Sequence, residues 1–193
     1  MRIGLVATGL QRIDARTATS DHASTRLRAL IPSAGLARRG HGLLICSDRD
    51  LFDGAVDAHL SELDVLIVHK ARLDLGARLD RARDAGVCVI VDLCDHVFLH
   101  PVLSAFYPGM LARADLITAA TEAMAEVAGA HVDLPVRVIP DAVEGARGAP
   151  AARGSAWGSA RSSAGEGVRC LWFGRPQNVA PLIDALPRIA AIP

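Results

Sequence analysis

Lysine is almost missing from this sequence, because Lys70 is the single lysine and every other basic residue is an arginine. The 21 basic residues are balanced by 21 acidic ones, so the formal net charge is zero. A chain without net positive charge has no electrostatic bias toward nucleic acid or anionic membranes. We therefore expect neither of them as a partner.

Long apolar runs and cysteine motifs are missing as well. No stretch approaches the roughly 18 apolar residues of a membrane span. The apolar run at the N-terminus is too short, and too soon followed by polar residues, to be a signal peptide. The four cysteines, at positions 46, 88, 94 and 170, show no C-x-x-C spacing. Free, reduced thiols and a cytoplasmic location are the expectation.

Short β-branched runs alternate with segments of helical period over most of the chain. Residues 87–92 are apolar on both faces, as a central parallel strand must be. The alternation predicts an α/β, Rossmann-like, doubly wound parallel sheet. Its predicted strands are residues 2–7, 43–46, 64–69, 87–92, 115–119 and 136–139.

Special residues mark the predicted helix ends. Gly40 and Gly86 are expected to close the helices 24–39 and 73–85 as C-terminal caps. Thr121 is expected to cap the helix that follows it. Pro32 should kink the first helix or mark its true first turn.

The composition changes after residue 143. Residues 144–167 are dominated by glycine, alanine, serine, proline and arginine, which is typical of a flexible linker. A predicted strand at 168–173 and a helix at 179–192 then follow, as in the first β-α unit of a second, truncated domain. The predicted organisation is a first domain at 1–143, a linker at 144–167 and an incomplete second domain at 168–193.

Open parallel sheets bind ligands beyond the carboxyl ends of their strands, where the strand order reverses. For a strand order of 3-2-1-4-5-6, the crevice lies between the loops after the first and fourth strands. Those two loops comprise residues 8–23 and 93–100, and both are polar. We take them as the predicted site.

The first loop has Gly9 as its one glycine, so it lacks the G-x-G-x-x-G geometry of a dinucleotide site. An NAD site is therefore not expected. Arg26 and Arg28 follow at the start of the next helix and suit an anionic ligand. Solvated surface arginines are the alternative interpretation.

The second loop follows Asp92 and carries Asp95, His96 and His100. A carboxylate beside an imidazole is the equipment of general-base catalysis. His96 and His100 have the i, i+4 spacing of a metal pair but lack a third ligand, so no metal is predicted. The alternative is that the aspartates cap the next helix and the histidines only pack.

Two further places have suitable chemistry. The pair His69 and Lys70 follows the third predicted strand and is a weaker candidate of the same kind. The turn Gly174-Arg-Pro-Gln-Asn178 combines a glycine at a strand end, Arg175 and a helix start, which together suit a phosphate group.

Five segments in this order and spacing resemble the GT-B glycosyltransferases, specifically the family 4-like group. They are Met1-Arg-Ile-Gly-Leu-Val-Ala7, Gly35-Leu-Ala-Arg-Arg-Gly-His41, Ala114-Asp-Leu-Ile-Thr-Ala-Ala-Thr121, Val138-Ile-Pro-Asp-Ala-Val143 and Leu171-Trp-Phe-Gly-Arg175. The resemblance implies two Rossmann-like domains facing across a cleft. The first binds the acceptor and the second holds a nucleotide-sugar.

The resemblance also implies roles for individual residues. Gly9 matches a glycine near the donor phosphates, and His96 matches a histidine near the transferred sugar. Gly174 and Arg175 match the Gly-Arg pair whose arginine contacts the donor diphosphate. The family's paired glycines are reduced to Gly9 here, the lysine expected beyond Arg175 is missing, and the donor-sugar motif would lie beyond Pro193.

The resulting expectation is a retaining transfer of a sugar from a nucleotide-sugar to a sugar, lipid or other hydroxyl acceptor, without an essential metal or further cofactor. Asp95 and His96 are the predicted catalytic residues. With its donor site incomplete, this chain is expected to be inactive alone. The alternative is a non-catalytic sugar- or nucleotide-binding module, or one that needs a partner chain.

Overall fold

The computed structural model describes residues 1–12, 18–142 and 179–191. Its contacts divide the chain into two compact units, Met1–Gly145 and Ala146–Pro193. Each unit is described below by itself. The predicted linker and the predicted strand at 168–173 lie outside the described residues.

Two sheets occur in the first unit, one of six parallel strands and one of two antiparallel strands. The larger sheet confirms the predicted α/β parallel fold. The small sheet pairs β2 with β3 inside the first loop and was not predicted. In chain order the strands are β1 (Arg2–Ala7), β2 (Gln11–Arg12), β3 (Ala18–Thr19), β4 (Gly42–Cys46), β5 (Val65–His69), β6 (Cys88–Leu93), β7 (Leu116–Ala119) and β8 (Val136–Val138).

The order of strands in the large sheet is β4-β1-β5-β6-β7-β8. Numbered along the chain, this is 2-1-3-4-5-6, and the predicted order 3-2-1-4-5-6 was wrong. Burial explains the difference, because β1 is buried from its second residue onward whereas β4 is half-buried along most of its length and suits an edge. The strand order therefore reverses between β1 and β5, and the crevice lies beside the loops that follow these two strands.

A long helical segment follows the first loop. It consists of α1 (Ala23–Thr25), a π-helical turn (Arg26–Leu30) and α2 (Ile31–Arg38). Pro32 lies in the first turn of α2, as one of its two predicted placements required. Proline has no backbone N–H to donate to the preceding turn of the helix, and that preceding turn is the wider π-helical one.

The other helices of the first unit are short. A 3₁₀ turn, Val97–Leu99, follows β6. The predicted helix at 101–113 is instead a second 3₁₀ turn, Leu103–Ala105, followed by a short α-helix, because a proline fits only the first turn of a helix and Pro108 lies in the first turn of that α-helix. The α-helices are α3 (Asp48–Phe52), α4 (Asp57–Leu60), α5 (Gly76–Asp84), α6 (Tyr107–Leu111) and α7 (Glu122–Gly129).

The predicted caps are confirmed. Gly40 and Gly86 adopt φ values of +83° and +82° after α2 and α5, a backbone conformation that glycine reaches without steric cost. The hydroxyl of Thr121 accepts a hydrogen bond from the Met124 N–H at 3.2 Å at the start of α7.

Both faces of the sheet are covered. Val6 points into a core shared with Leu66 and Leu79, whereas Leu5 and Ala7 pack with Ala29 of the π-helical turn on the opposite face. Alternate residues of β1 therefore serve two cores, as in a doubly wound sheet.

The second unit contains α8 (Val179–Ala190), which agrees with the helix predicted at 179–192. Ile183 and Leu186 on this helix are 57% and 49% exposed. Pro187 lies inside the helix.

Ser47 provides a test of the local structure after β4. Its hydroxyl accepts from the Asp50 N–H at 3.0 Å, and the Asp50 carboxylate accepts from the Ser47 N–H at 2.9 Å, which is a capping box. We expect Ser47→Ala to lower the free energy of unfolding by about 1 kcal/mol, measured by urea denaturation. Ser61→Ala at an exposed position is the matched control, and equal stability of both variants would contradict the cap.

Candidate functional site

The central feature at the carboxyl edge of the sheet is an ion pair between Arg28 and Asp92. The Arg28 Nε donates to Asp92 Oδ2 at 2.8 Å, and its Nη2 donates to Oδ1 at 2.5 Å. The two side chains are only 4% and 7% exposed. This two-point geometry is the strongest form of an arginine–carboxylate contact.

Two more side chains reach the same carboxylate. His69 Nδ1 lies 2.7 Å from Asp92 Oδ2, and the Thr118 hydroxyl donates to Oδ1 at 2.5 Å. The register explains the grouping, since Ala7, His69, Asp92 and Thr118 are aligned across four neighbouring parallel strands. Their side chains therefore share one face of the sheet.

The protonation of Asp92 follows from these neighbours. Burial alone would raise its pKa, but the hydrogen bonds from Arg28, His69 and Thr118 outweigh burial and lower the pKa to about 2. The same contact with Asp92 raises the pKa of Arg28. Because the ionised carboxylate only accepts hydrogen bonds, the hydrogen of His69 is on Nδ1. His69 Nε2 is buried and has no hydrogen-bond partner within the described part of the chain.

Arg28 also fixes the segment after β8. Its Nη1 donates to the Ile139 carbonyl at 2.7 Å and to Asp141 Oδ1 at 2.9 Å. One guanidinium thus joins the π-helical turn, the centre of the sheet and the chain beyond its last strand. Its donors are engaged inside the protein and not by solvent.

Gly9 makes the turn after β1. It has a φ of +69°, and a Cβ at this position would lie 2.8 Å from the His22 ring. The Gly9 carbonyl accepts from the Ser20 hydroxyl at 2.8 Å. Only glycine fits here, because the backbone is left-handed and the imidazole lies against it.

Arg26 lies in the same loop region. Its Nη1 donates to the Ser20 carbonyl at 3.0 Å. Since Ser20 also bonds to Gly9, Arg26 stabilises the loop that carries the glycine turn.

Lys70 is the first residue after β5 and lies at the point where the strand order reverses. Its ammonium forms an ion pair with Asp95 and lies 3.5 Å from the Ser24 hydroxyl. Side-chain exposure is 24% for Lys70 and 55% for Asp95. Among the described residues other than glycine, Lys70 alone has a positive φ, of 49°. This pair is accessible from solvent, unlike the pair below it.

His96 and His100 are exposed in the loop after β6. His96 precedes the first 3₁₀ turn and packs edge-on against Phe98, with ring centroids 6.0 Å apart. His100 Nδ1 accepts from the backbone N–H groups of Val102 and Leu103 at 3.2 and 3.3 Å. The two histidines therefore have different partners and do not form the i, i+4 pair of one helix.

Cys94 is the first residue after β6, between Asp92 and Asp95 in the sequence, and its thiol is neutral. Burial, with a further contribution from Asp95, raises its pKa to about 12. It is not an activated nucleophile, because the thiolate is the reactive form.

The structure thus places the predicted residues at two depths. Arg28, His69 and Asp92 are buried together, whereas Lys70, Asp95 and His96 lie above them at the surface. Gly174 and Arg175 lie outside the described residues. Sequence reasoning missed Thr118, Asp141 and Ser24, and the position of Thr118 at the end of a predicted strand was the one available signal.

Two surface cavities lie elsewhere, with volumes of about 340 and 290 Å³. The first cavity lies beside the starts of β6 and β7. The second lies beside the starts of β1 and β4. Both are at the amino ends of the strands. Parallel sheets bind ligands at the opposite, carboxyl edge.

The described ranges lack two kinds of feature. They contain no group of three or more histidine, cysteine, aspartate or glutamate side chains arranged to hold a metal ion. Nor do they contain a helix that is long and apolar enough to cross a membrane.

The low pKa of Asp92 makes the stability of the fold depend on pH. The folded-state pKa of about 2 lies below the ordinary value of 3.8, so the stabilisation is present above about pH 4 and is lost as the pH falls toward 2. The difference corresponds to about 2 kcal/mol. We expect Asp92→Asn to be less stable at neutral pH, because Arg28 loses its buried counter-charge and keeps the half-exposed carboxylate of Asp141, and to lose less further stability between pH 4 and 2.

Urea denaturation followed by circular dichroism across this pH range measures both effects. Asp84→Asn, at an exposed residue at the end of α5, is the control and should follow the wild-type pH dependence. An Asp92→Asn variant with the full wild-type acid loss would contradict the assigned role of Asp92.

The chain was also compared with known proteins. No protein-family model matches the sequence, and no curated protein matches it.

Proposed function

We propose that this chain is the acceptor-side part of a nucleotide-sugar-dependent glycosyltransferase, which transfers a sugar to an acceptor hydroxyl with retention of configuration. The observation that carries the proposal is the position of the Gly9 turn after β1 and of the Lys70–Asp95 pair after β5, at the place where the strand order of a parallel sheet reverses. That place is where doubly wound sheets bind nucleotides and their substrates.

The exposed residues take the direct roles in this proposal. Asp95 and His96 face the reacting groups, where they position substrate and stabilise developing charge. In this proposal the donor phosphates bind beside the left-handed turn that Gly9 makes after β1. The predicted phosphate contacts of Gly174 and Arg175 concern residues outside the described ranges.

The buried residues take supporting roles. Arg28, Asp92 and His69 are engaged with one another, so they hold the ends of β5 and β6 at a fixed spacing below the site. A site held by rigid elements keeps its reacting groups in place, and small displacements reduce turnover strongly. The nucleotide-sugar is the donor substrate, and the proposal includes no metal and a cytoplasmic location.

A second candidate is a non-catalytic module that binds a sugar or nucleotide, or that pairs with another chain. The observation in its favour is the apolar surface of α8, where Ile183 and Leu186 are about half exposed. Large apolar side chains at a surface are typical of a contact with further protein.

Turnover of nucleotide-sugars tests the proposal. We would incubate the protein, as isolated from its source cells, with a panel of UDP-, GDP-, ADP- and dTDP-sugars and a panel of sugar and lipid acceptors, and measure the released nucleoside diphosphate by chromatography. With a donor that supports turnover, His96→Ala should lower kcat by about 100-fold or more, because a positioned group that acts in the transition state contributes at least that much. The variant should retain the wild-type melting temperature, because His96 is exposed.

His59→Ala is the matched control. His59 is also an exposed histidine near a carboxylate, Glu62, but lies just before β5 at the opposite edge of the sheet. It should leave kcat unchanged. Wild-type turnover by His96→Ala would remove His96 from the mechanism, and binding of a nucleotide-sugar without any turnover would favour the second candidate.

A further inference from the structure

Three side chains with different hydrogen-bonding abilities converge at the solvent-facing level of the site. The ammonium of Lys70 donates, the carboxylate of Asp95 accepts, and the hydroxyl of Ser24 does both. Lys70 contacts each of the other two. The three come from the end of β5, the loop after β6 and the start of α1, so the fold and not the local sequence brings them together.

The charge at this level is balanced. Asp95 neutralises Lys70, and Arg28 is paired with two carboxylates, Asp92 and Asp141, which leaves one negative charge in excess there. A phosphate placed against Lys70 would also meet the half-exposed carboxylate of Asp95, and like charges at such distances repel. An uncharged ligand meets no such penalty.

The backbone holds Lys70 in a defined position. Its φ of 49° is left-handed, and the residues after it are fixed on both sides. The Tyr107 hydroxyl donates to the Ala71 carbonyl at 3.0 Å, and the Arg72 N–H donates to the Asp48 carboxylate at 2.8 Å. An unfavourable conformation that the surroundings maintain is typical of residues that position a ligand.

We infer that Lys70, Asp95 and Ser24 form a subsite for the neighbouring hydroxyl groups of an uncharged sugar. One sugar hydroxyl donates to Asp95 while the adjacent one accepts from Lys70, and Ser24 completes the contact on the far side of the ammonium. The inference rests on the proposed function and defines its acceptor class: a neutral sugar, as opposed to a phosphorylated or otherwise anionic acceptor.

The single lysine allows a direct test on the wild-type chain. An amine-acetylating ester has two amine targets in these 193 residues, Lys70 and the α-amine of Met1; Met1 is exposed and serves as the internal reference. We would measure the ratio of the two acetylation rates by mass spectrometry. The probes are methyl glycosides of glucose, galactose and mannose, with inorganic pyrophosphate as the anionic competitor.

A bound sugar covers the Lys70 ammonium. At a concentration of ten times the dissociation constant, mass action leaves roughly a tenth of the protein free, so the rate at Lys70 relative to Met1 should fall about tenfold. Pyrophosphate should leave the ratio unchanged. Protection by pyrophosphate but by none of the glycosides, or protection by no probe at all, would overturn the inference.

Asp95→Asn and Asp21→Asn are a matched pair of variants. Asp21 is also exposed and lies in the first loop, where it accepts a long hydrogen bond of 3.4 Å from Gln11. We expect the protecting glycoside to lose its effect in Asp95→Asn and to keep it in Asp21→Asn. Unchanged protection in Asp95→Asn would contradict the subsite.

This test needs no donor and no turnover, so its outcome is separate from that of the proposed function. Protection of Lys70 by a neutral glycoside supports the subsite even in a chain that transfers nothing. Nucleotide-sugar turnover without such protection would support the transferase and overturn the subsite.

Discussion

The Arg28–Asp92 ion pair is the interaction on which the carboxyl edge of this sheet depends. Two buried charges are costly to remove from water, and the cost is offset only where each charge has several partners. Asp92 has three hydrogen-bond partners, which lie on β5, on β7 and on the helical segment. Arg28 has two more partners in the chain beyond β8. The pair therefore sets the distances between elements that are far apart in the sequence, and the exposed residues above it take their places from that arrangement.

Much of the fold is readable from local sequence. Gly40, Gly86 and Thr121 each perform the capping role that their chemistry predicts, because caps depend on a few neighbouring residues. The order of the strands was not readable in this way. The half-buried character of β4, which places it at the edge, depends on what packs against it, and its four apolar residues do not distinguish an edge strand from a central one.

The residues of the site also differ in whether the sequence predicts them. Asp92, Asp95, His69 and Lys70 follow or end predicted strands, so general rules about parallel sheets identify them from sequence. The pairing of Arg28 with Asp92 spans 64 residues, and nothing in either segment indicates it. Some of these polar residues are buried and support the site, whereas others are exposed and can contact a ligand. The packed structure decides between the two roles, because aspartate and histidine are found both buried and exposed.

The π-helical turn has a consequence for the tolerance of this chain to changes in length. Each residue of a helix advances the side chains by about 100°. Deleting one residue between Arg26 and Leu30 would close the wide i→i+5 turn to an ordinary i→i+4 turn. The wide turn carries both Arg28, which contacts Asp92, and Ala29, which packs with the apolar core of β1, and a turn one residue shorter would keep one of these contacts and not both. The helical segment can accept substitutions at its surface, but its count of residues between the glycine turn and Pro32 is fixed by the sheet below it.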